Sequence, residues 1–235
     1  MRTVAVVLAG GTGQRIGSAT PKQLLEVGGR PILAFSVAAF DRHPGVDEVL
    51  VVMARGHLAA AEKIMSRYDY KKVTRVIEGG ATRSDSTLAA LAALAAEPDG
   101  TRLLLHDAAR PFVDAGVIDR CLAALETHRA VAVGVPTPDT VVVVEDGLVK
   151  AMPPRDTLTR FQTPQCFHLG TLRTAYRAAG NDPGFTATDD CGVVHRYLPD
   201  EPIRVVAGDE RNLKVTHPLD MVLAEHLAAR AEEAN

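Results

Sequence analysis

Residues 3–17 read Thr-Val-Ala-Val-Val-Leu-Ala-Gly-Gly-Thr-Gly-Gln-Arg-Ile-Gly. The apolar run Val4–Leu8 lacks polar alternation, which is the pattern of a strand buried on both faces of a parallel sheet. The glycines after it permit backbone conformations that other residues avoid, so that consecutive main-chain N–H groups can approach an anion. The stretch therefore predicts a central first strand that ends in a phosphate-binding loop.

Further apolar runs follow along the chain, with alanine-rich helical segments between them. The runs are Val49–Met53, Val73–Ile77, Leu103–Leu105 and Ala130–Val135, and the predicted helices cover residues 31–42, 57–68, 84–96 and 115–128. Such alternation of strand and helix predicts an α/β, Rossmann-like fold with a doubly wound, mostly parallel sheet and right-handed crossovers.

The alternation changes after Val135. Two apolar runs, 140–145 and 148–151, flank Asp146-Gly147, so residues 136–156 are predicted to form a β-arm that projects from the main sheet. The remaining predicted elements are a strand at Gln162–Leu169, helices near 170–179 and 187–196, a strand at Ile203–Val206 and a helix over 217–231. With no linker or internal repeat, we interpret residues 1–235 as one domain.

The composition limits the function. The 235 residues include 46% apolar and 23% charged residues and carry a net charge of −3, which is typical of a globular protein and argues against a general nucleic-acid binder. Three scattered cysteines without metal-ligand spacing predict a reducing, cytoplasmic setting. No apolar run is long enough to span a membrane, so no membrane partner is expected.

The first loop carries two cations, Arg15 and Lys22, beside its glycines. Phosphoryl transfer depends mainly on positioning and on neutralising charge, which such a loop can supply. A P-loop would need the string GxxxxGK[ST], which is absent, and a dinucleotide-binding GxGxxG fails because Gly17 comes one residue late. A plain glycine-rich turn would explain the glycines alone but not the two cations.

Two other segments are candidates for ligand contacts. Residues 79–86 read Gly-Gly-Ala-Thr-Arg-Ser-Asp-Ser, in which Thr82 and Asp85 predict a helix cap and, taken alone, no more than that. Residues 106–111 read His-Asp-Ala-Ala-Arg-Pro and follow a buried strand, at the sheet edge where ligands bind in open α/β folds. Asp107 could accept from hydroxyls or help to hold a metal, and Arg110 could face a phosphate or pair with Asp107.

Taken together, these motifs resemble the 2-C-methyl-D-erythritol 4-phosphate cytidylyltransferases and their close relatives, the ribitol-5-phosphate cytidylyltransferases. The resemblance runs from Val4 to about Glu225 and rests on LAGGTGQRIG (8–17), PKQLLEVGGRPIL (21–33), the 79–86 and 106–111 segments, QTPQ (162–165), TATDD (186–190) and NLKVT (212–216). It implies transfer of CMP from CTP to a polyol phosphate, with Mg²⁺ and release of pyrophosphate.

The resemblance also implies roles for individual residues. The implied catalytic residues, around the α-phosphate, are Arg15, Lys22 and Lys214. The implied nucleotide-binding residues are Leu8, Ala9, Gly10, Gly11, Thr12, Gly13, Gly79, Gly80, Arg83, Ser86, Asp107 and Ala108. The implied acceptor-binding residues are Asp107, Arg110, Thr140, Arg155, Thr163 and Thr188, with Asp107 also as a metal ligand. The arm would form a homodimer in which Arg155 reaches the partner's site.

The sequence motifs favour two different acceptor substrates. The first loop, Leu8–Gly11, and the string GGATRSDST are as in the ribitol-phosphate relatives, whereas HDAARP and the TDD segment favour 2-C-methyl-D-erythritol 4-phosphate. We choose the latter, which belongs to isoprenoid precursor synthesis, with D-ribitol 5-phosphate as the alternative. From other classes, a short-chain NAD(P)-dependent reductase is matched only by the chance YxxxK string Tyr68–Lys72, and a catalytically inactive binding module is disfavoured by the charged residues at several motifs.

Overall fold

The computed structural model describes residues 1–11 and 20–233, with side chains through Arg230. The described strands are β1 (Thr3–Ala9), β2 (Glu26–Val27), β3 (Arg30–Pro31), β4 (Glu48–Met53), β5 (Val73–Glu78), β6 (Arg102–Asp107), β7 (Ala130–Pro136), β8 (Val143–Glu145), β9 (Leu148–Ala151), β10 (Thr159–His168) and β11 (Ile203–Ala207). The described helices are α1 (Ile32–Asp41), α2 (Leu58–Tyr68), α3 (Arg83–Ala93), α4 (Ala115–Ala124), α5 (Leu169–Ala179), α6 (Asp190–Tyr197) and α7 (Pro218–Glu233).

Seven strands form the main sheet in the order β11-β7-β10-β6-β1-β4-β5. All neighbouring pairs are parallel except those of β10, which runs antiparallel to both β6 and β7. The predicted mostly parallel sheet is therefore confirmed. The carboxyl ends of six strands and the amino end of β10 share one edge, and this carboxyl edge is where a ligand site is expected.

Both faces of the sheet are covered, which explains the unbroken apolar runs. Along β1, Ala5 and Val7 belong to the cluster that includes residues of α1, α2 and α4, while Val4 and Val6 belong to the cluster that includes residues of α3, α5 and α6. Because successive strand residues point to opposite faces, a strand between two helical layers buries the side chains of both faces, which favours apolar residues along it. The fold is doubly wound, as predicted.

A smaller apolar cluster stands apart from the two main ones. Val27 and Ile32 pack there against Val215 and against Ala224 and Ala228 of α7. The cluster therefore joins a segment near the start of the chain to one near its end. The short β2–β3 pair in this region is absent from the sequence prediction, because two-residue strands are too short to show a period.

The predicted arm is present as a separate two-stranded hairpin. Its turn residues Asp146 and Gly147 have φ angles of 51° and 76°, the positive values that a type I′ hairpin turn requires. The first strand begins at Val143 rather than at Thr140, because Val143 already pairs with Ala151, the last residue of β9. The apolar side chains of Leu148 and its neighbours on the arm are exposed, an arrangement typical of a surface that another chain covers.

Most other predicted boundaries agree with the structure within a few residues. The helices predicted over 84–96 and 115–128 end earlier, at Ala93 and Ala124, and the strand predicted at Gln162–Leu169 begins earlier, at Thr159. Among the described residues, no helix combines the length and the apolar character needed to cross a membrane.

Candidate nucleotide site

A cavity of about 370 Å³ opens at the carboxyl edge of the sheet, and we refer to it as the carboxyl-edge cavity. Six separate parts of the chain line it. They are Leu8–Gly11, Lys22 with Gln23, Ala81–Arg83 with Ser86, Asp107–Ala109, and the isolated positions Thr188 and Lys214. Most predicted nucleotide-binding residues among the described ones thus meet in one space. Three further predicted residues, Thr12, Gly13 and Arg15, lie outside the described residues.

Two glycines bring the strand ends close to α3. A Cβ atom on Gly10 or on Gly79 would lie only 2.6 Å from the Ser86 Oγ, so any side chain at either position would force Ser86 away. Gln23, which is buried, donates from its amide to the carbonyl oxygens of Ala9 and Gly11, the latter at 2.9 Å. These contacts fix the described part of the first loop against the cavity wall.

The start of α3 is capped as the sequence predicts. The Thr82 hydroxyl accepts from the Asp85 amide at 3.0 Å, and the Asp85 carboxylate accepts from the Thr82 amide at 3.0 Å, which is a reciprocal capping box. Arg83 is the first residue of this capped helix. Its backbone is therefore held firmly at the mouth of the cavity.

Charged side chains form a connected network in the cavity wall. Asp107 accepts from Arg83 Nε at 3.2 Å through one oxygen and from Lys214 Nζ at 2.7 Å through the other. Arg83 also donates from Nη1 to Asp190. Burial opposes ionisation of Asp107, but the charges of Arg83 and Lys214 outweigh it and hold the pKa of Asp107 well below its usual range. Asp107 is therefore an anion at neutral pH and not a proton donor.

Lys22 and Lys214 approach the cavity from opposite ends of the chain. The Lys22 ammonium donates to the carbonyl oxygen of Val215 at 2.8 Å, and Val215 is itself buried in the small apolar cluster. The residue after Lys214 thus anchors Lys22. Two cations that line one cavity are suited to binding phosphate groups.

His106 supports the loop after β6 rather than facing the cavity. Its Nε2 lies 2.9 Å from the Arg110 carbonyl and its Nδ1 lies 3.0 Å from the Thr163 hydroxyl, which also accepts from the Asp107 amide at 3.0 Å. Because a carbonyl only accepts, we assign the proton to Nε2, and the Thr163 hydroxyl then donates to Nδ1. Burial lowers the pKa of His106 to about 4, so the ring is neutral at physiological pH.

We expect the His106→Gln variant to lose less stability on acidification than the wild-type protein. The folded pKa of about 4 lies below the unfolded value of 6.5, so the unfolded chain binds more protons in this window and wild-type stability falls as the pH falls through it. The linkage costs the wild type about 2 kcal/mol between pH 7 and pH 5. Urea unfolding at both pH values measures the loss of stability in each protein. Equal losses in the two proteins would contradict a buried, neutral His106.

Only some of the predicted acceptor-binding residues lie at the cavity. Thr188 lines the cavity, whereas Thr163 is buried and its hydroxyl is engaged with His106 and Asp107. Arg110 donates to the carbonyl oxygens of Asn212 at 2.7 Å and Phe161 at 3.4 Å, so within the described residues the considered pair with Asp107 does not form.

The remaining predicted positions lie outside the cavity lining. Thr140 and Arg155 are exposed on the arm, where Arg155 donates to the Pro138 carbonyl at 3.3 Å. Gly79 and Gly80 lie behind the lining, and the direct wall there is formed by Ala81 and Thr82. The roles assigned to these residues from the resemblance stay predictions.

Two residues of the site were not predicted from the sequence. Gln23 was visible only as a neighbour of Lys22 in the PKQ string, yet its side chain holds the first loop. Asp190 is visible only as the last residue of the TATDD string, yet its buried carboxylate pairs with Arg83 behind the cavity. In neither case does the residue type alone indicate the direction of the side chain.

The chain is similar to known proteins along almost its whole length. The family model for 2-C-methyl-D-erythritol 4-phosphate cytidylyltransferase matches residues 3–230. The enzyme of that name from Thermobifida fusca (strain YX) is 54% identical over 231 residues, which cover 96% of this chain and 93% of the relative. A Haemophilus influenzae bifunctional ribulose 5-phosphate reductase/CDP-ribitol pyrophosphorylase is 40% identical over 96% of this chain, which spans about half (48%) of that longer protein.

Solved structures give the same result. The chain superimposes on the 4-diphosphocytidyl-2C-methyl-D-erythritol synthase of Anaerococcus prevotii with a TM-score of 0.85 and 29% identity, covering 97% of this chain and 96% of the other. The 2-C-methyl-D-erythritol 4-phosphate cytidylyltransferase of Thermus thermophilus gives a TM-score of 0.76 with 33% identity, covering 97% and 100%.

Proposed function

The chain belongs to the 2-C-methyl-D-erythritol 4-phosphate cytidylyltransferase family, and we propose that it transfers CMP from CTP to 2-C-methyl-D-erythritol 4-phosphate, releasing pyrophosphate. One observation supports this most directly: Lys22 and Lys214 converge on a single cavity whose other walls are the first loop and the start of α3. The product would be CDP-methylerythritol, in isoprenoid precursor synthesis. The chain is thus a CTP-dependent nucleotidyltransferase.

The reaction needs few protein groups. A phosphate oxygen of the acceptor attacks the α-phosphorus in line, a new P–O bond forms, and the bond to the β-phosphate oxygen breaks as pyrophosphate leaves. The acceptor phosphate is already an anion near neutral pH, so no general base is required. Lys22 and Lys214, with Arg15 of the first loop, neutralise the charge that gathers on the α-phosphate in the transition state.

The cytidine would bind on the α3 side of the cavity. Ser86 and Arg83 offer a hydroxyl and a guanidinium there, and the small residues around them leave room for a flat base. Gly79 and Gly80 serve this site indirectly, since a side chain on Gly79 would displace Ser86 and one on Gly80 would collide with Asp85. Recognition of a pyrimidine needs a small number of fixed polar groups of this kind.

Magnesium fits this site when it comes with the triphosphate. Within residues 1–11 and 20–233, no group of three or more His, Cys, Asp or Glu side chains is arranged to hold a metal ion, and both oxygens of Asp107 already face a cation. Mg²⁺ commonly keeps several waters and takes one or two carboxylates beside substrate phosphates. Asp107 is the carboxylate in the cavity wall that could contribute, and bound Mg²⁺ would neutralise the leaving pyrophosphate.

The arm accounts for the acceptor residues outside the cavity. We propose that two copies of the chain form a homodimer through the exposed apolar side chains of the arm, and that Arg155 and Thr140 complete the partner's acceptor site beside Thr188. Thr163 and Arg110 would then act indirectly, by holding the loop that carries Asp107 in place. The protein is expected in the cytoplasm, without nucleic-acid or membrane partners.

The acceptor is tested by supplying CTP and Mg²⁺ with each polyol phosphate in parallel. We expect kcat/KM for 2-C-methyl-D-erythritol 4-phosphate to exceed that for D-ribitol 5-phosphate by at least about a hundredfold, because a site shaped for one polyol leaves polar groups unpaired with the other. The Haemophilus relative supports D-ribitol 5-phosphate as the second candidate. Pyrophosphate release with ribitol phosphate alone would reverse the assignment.

A further inference from the structure

Asp190 is a fully buried carboxylate that lies behind the carboxyl-edge cavity, at the first residue of α6. Its Oδ1 accepts from the Thr87 hydroxyl at 2.9 Å and from the Tyr176 hydroxyl at 2.7 Å, and its Oδ2 accepts from Arg83. The Asp190 amide donates to the Gln165 side-chain oxygen at 3.0 Å. The carboxylate of Asp190 therefore accepts from three side-chain donors, two of them on α3 and one on α5.

Arg83 lies between two carboxylates at different depths. The side chain of Asp107 is 12% exposed on the cavity side, that of Arg83 is 21% exposed, and that of Asp190 is 0% exposed on the protein side. Arg83 therefore reaches the cavity while its inner face is fixed by Asp190. Burial would lower the pKa of Arg83, but the two carboxylates outweigh it and raise the pKa above its ordinary value.

The charges on this chain of contacts alternate and balance. Asp190 and Asp107 carry two negative charges, and Arg83 and Lys214 carry two positive ones. Without the charge of Asp190, Arg83 would be left with Asp107 as its anion, and Asp107 is also the partner of Lys214. Because an unpaired buried charge is costly, Arg83 would then turn toward Asp107 and compete with Lys214.

We propose that Asp190 is a positioning residue for nucleotide binding: it holds the Arg83 guanidinium in place at the cytidine pocket and leaves one oxygen of Asp107 to Lys214. Asp190 itself touches no substrate. The proposal rests on the proposed function, since it assumes that the cavity binds CTP. It adds a residue to the site that acts entirely through Arg83.

A purely structural role for Asp190 makes a different prediction. If Asp190 only joins α3, α5 and α6, its loss would weaken the fold and change CTP affinity independently of Arg83. If it acts through Arg83, its loss has no further effect once Arg83 has been replaced. A double-mutant cycle separates the two, because contacting residues show coupling and independent ones add.

The experiment measures equilibrium binding of CTP with Mg²⁺ by calorimetry, without acceptor, for the wild type, Asp190→Asn, Arg83→Gln and the double variant. We expect each single variant to bind CTP about tenfold or more weakly, as loss of a charge-assisted hydrogen bond implies. The double variant should bind no more weakly than Arg83→Gln alone. Multiplying losses in the double variant, or wild-type affinity in Asp190→Asn, would overturn the proposal.

Glu48 provides a matched control at the other end of the sheet. Glu48 is also buried, is paired with Arg2 and Arg75, and accepts from the Thr74 hydroxyl. It lies at the amino end of β4, about 17 Å from the carboxyl edge of the sheet. We expect Glu48→Gln to destabilise the fold to a similar extent while CTP affinity stays within about twofold of the wild type. A tenfold loss of affinity in this control would overturn the proposal, because general destabilisation would then explain the result.

Two further outcomes are decided by the same set. If Asp190→Asn alone does not fold, Arg83→Gln can still be compared with the double variant. The double variant lacks both the Asp190 and the Arg83 charge, so neither is left buried without its partner. Equal affinities support the positioning role and a further loss excludes it. Failure of the wild type to bind CTP would overturn the proposed function and this inference together, whereas wild-type binding with independent losses overturns only this inference.

Discussion

Replacing Lys214 with alanine is expected to lower kcat by about 10²–10³-fold while the KM for CTP changes far less. Lys214 lies in the cavity wall, where its ammonium pairs with Asp107 at 2.7 Å. We expect it to stabilise the negative charge that develops on the α-phosphate. Such charge is larger in the transition state than in bound CTP, so the loss falls on kcat. Lys22→Ala should behave in the same way, because Lys22 lines the same cavity and its ammonium is held there by the Val215 carbonyl.

Steady-state measurement of pyrophosphate release at saturating acceptor checks this expectation. Lys63→Ala, on the exposed side of α2, is the matched control and should retain wild-type kcat, because it removes the same charge away from the cavity. An effect on KM alone would contradict a transition-state role for either cavity lysine and would leave them as simple binding groups.

Heterodimers that combine Arg155→Ala in one subunit with Lys22→Ala in the other are expected to recover about half of wild-type activity. Each homodimer should be nearly inactive, since every site lacks one of the two cations. In the mixed dimer, the subunit with Lys22 intact receives Arg155 from its partner, so one site of two is complete. Arg155 is exposed on the arm, which is the geometry that such an exchange requires.

Placing both substitutions in one subunit gives the matched control. Paired with a wild-type subunit, the doubly substituted chain should give almost no activity, because the site with Lys22 lacks the partner's Arg155 and the other site lacks Lys22. Tandem affinity tags allow both mixed dimers to be purified and assayed. Activity in this control dimer but not in the first mixed dimer would mean that Arg155 acts in its own subunit. A protein that is monomeric in solution would contradict any role of the arm in a partner's site.

The sheet was predictable from sequence because its strands are buried on both faces. Unbroken runs such as Val4–Leu8 allow few other interpretations, and the Asp146-Gly147 turn requires the positive φ angles that it adopts. The convergence of Lys22 and Lys214 was also predicted, but only through the family resemblance. No local pattern connects two segments so far apart in the chain.

The internal partners of the site were not predictable for a physical reason. Asp189 and Asp190 are adjacent in sequence, yet Asp189 caps α6 by accepting from the Gly192 amide at 2.7 Å while Asp190 turns into the core. Arg110 likewise bonds to carbonyl groups of Asn212 and Phe161 instead of its neighbour Asp107. Such choices depend on where a helix begins and on which distant backbone oxygens need a donor.

The bond between Lys22 and the Val215 carbonyl has a consequence for biosynthesis. A nascent polypeptide that has emerged only as far as β11 already contains every strand of the main sheet, but it lacks both Lys214 and the group that anchors Lys22. The proposed catalytic site is therefore completed only after residues beyond the last strand of the main sheet have been synthesised. A product truncated before position 214 would keep the strands of the main sheet but lose the contribution expected of Lys214 to turnover.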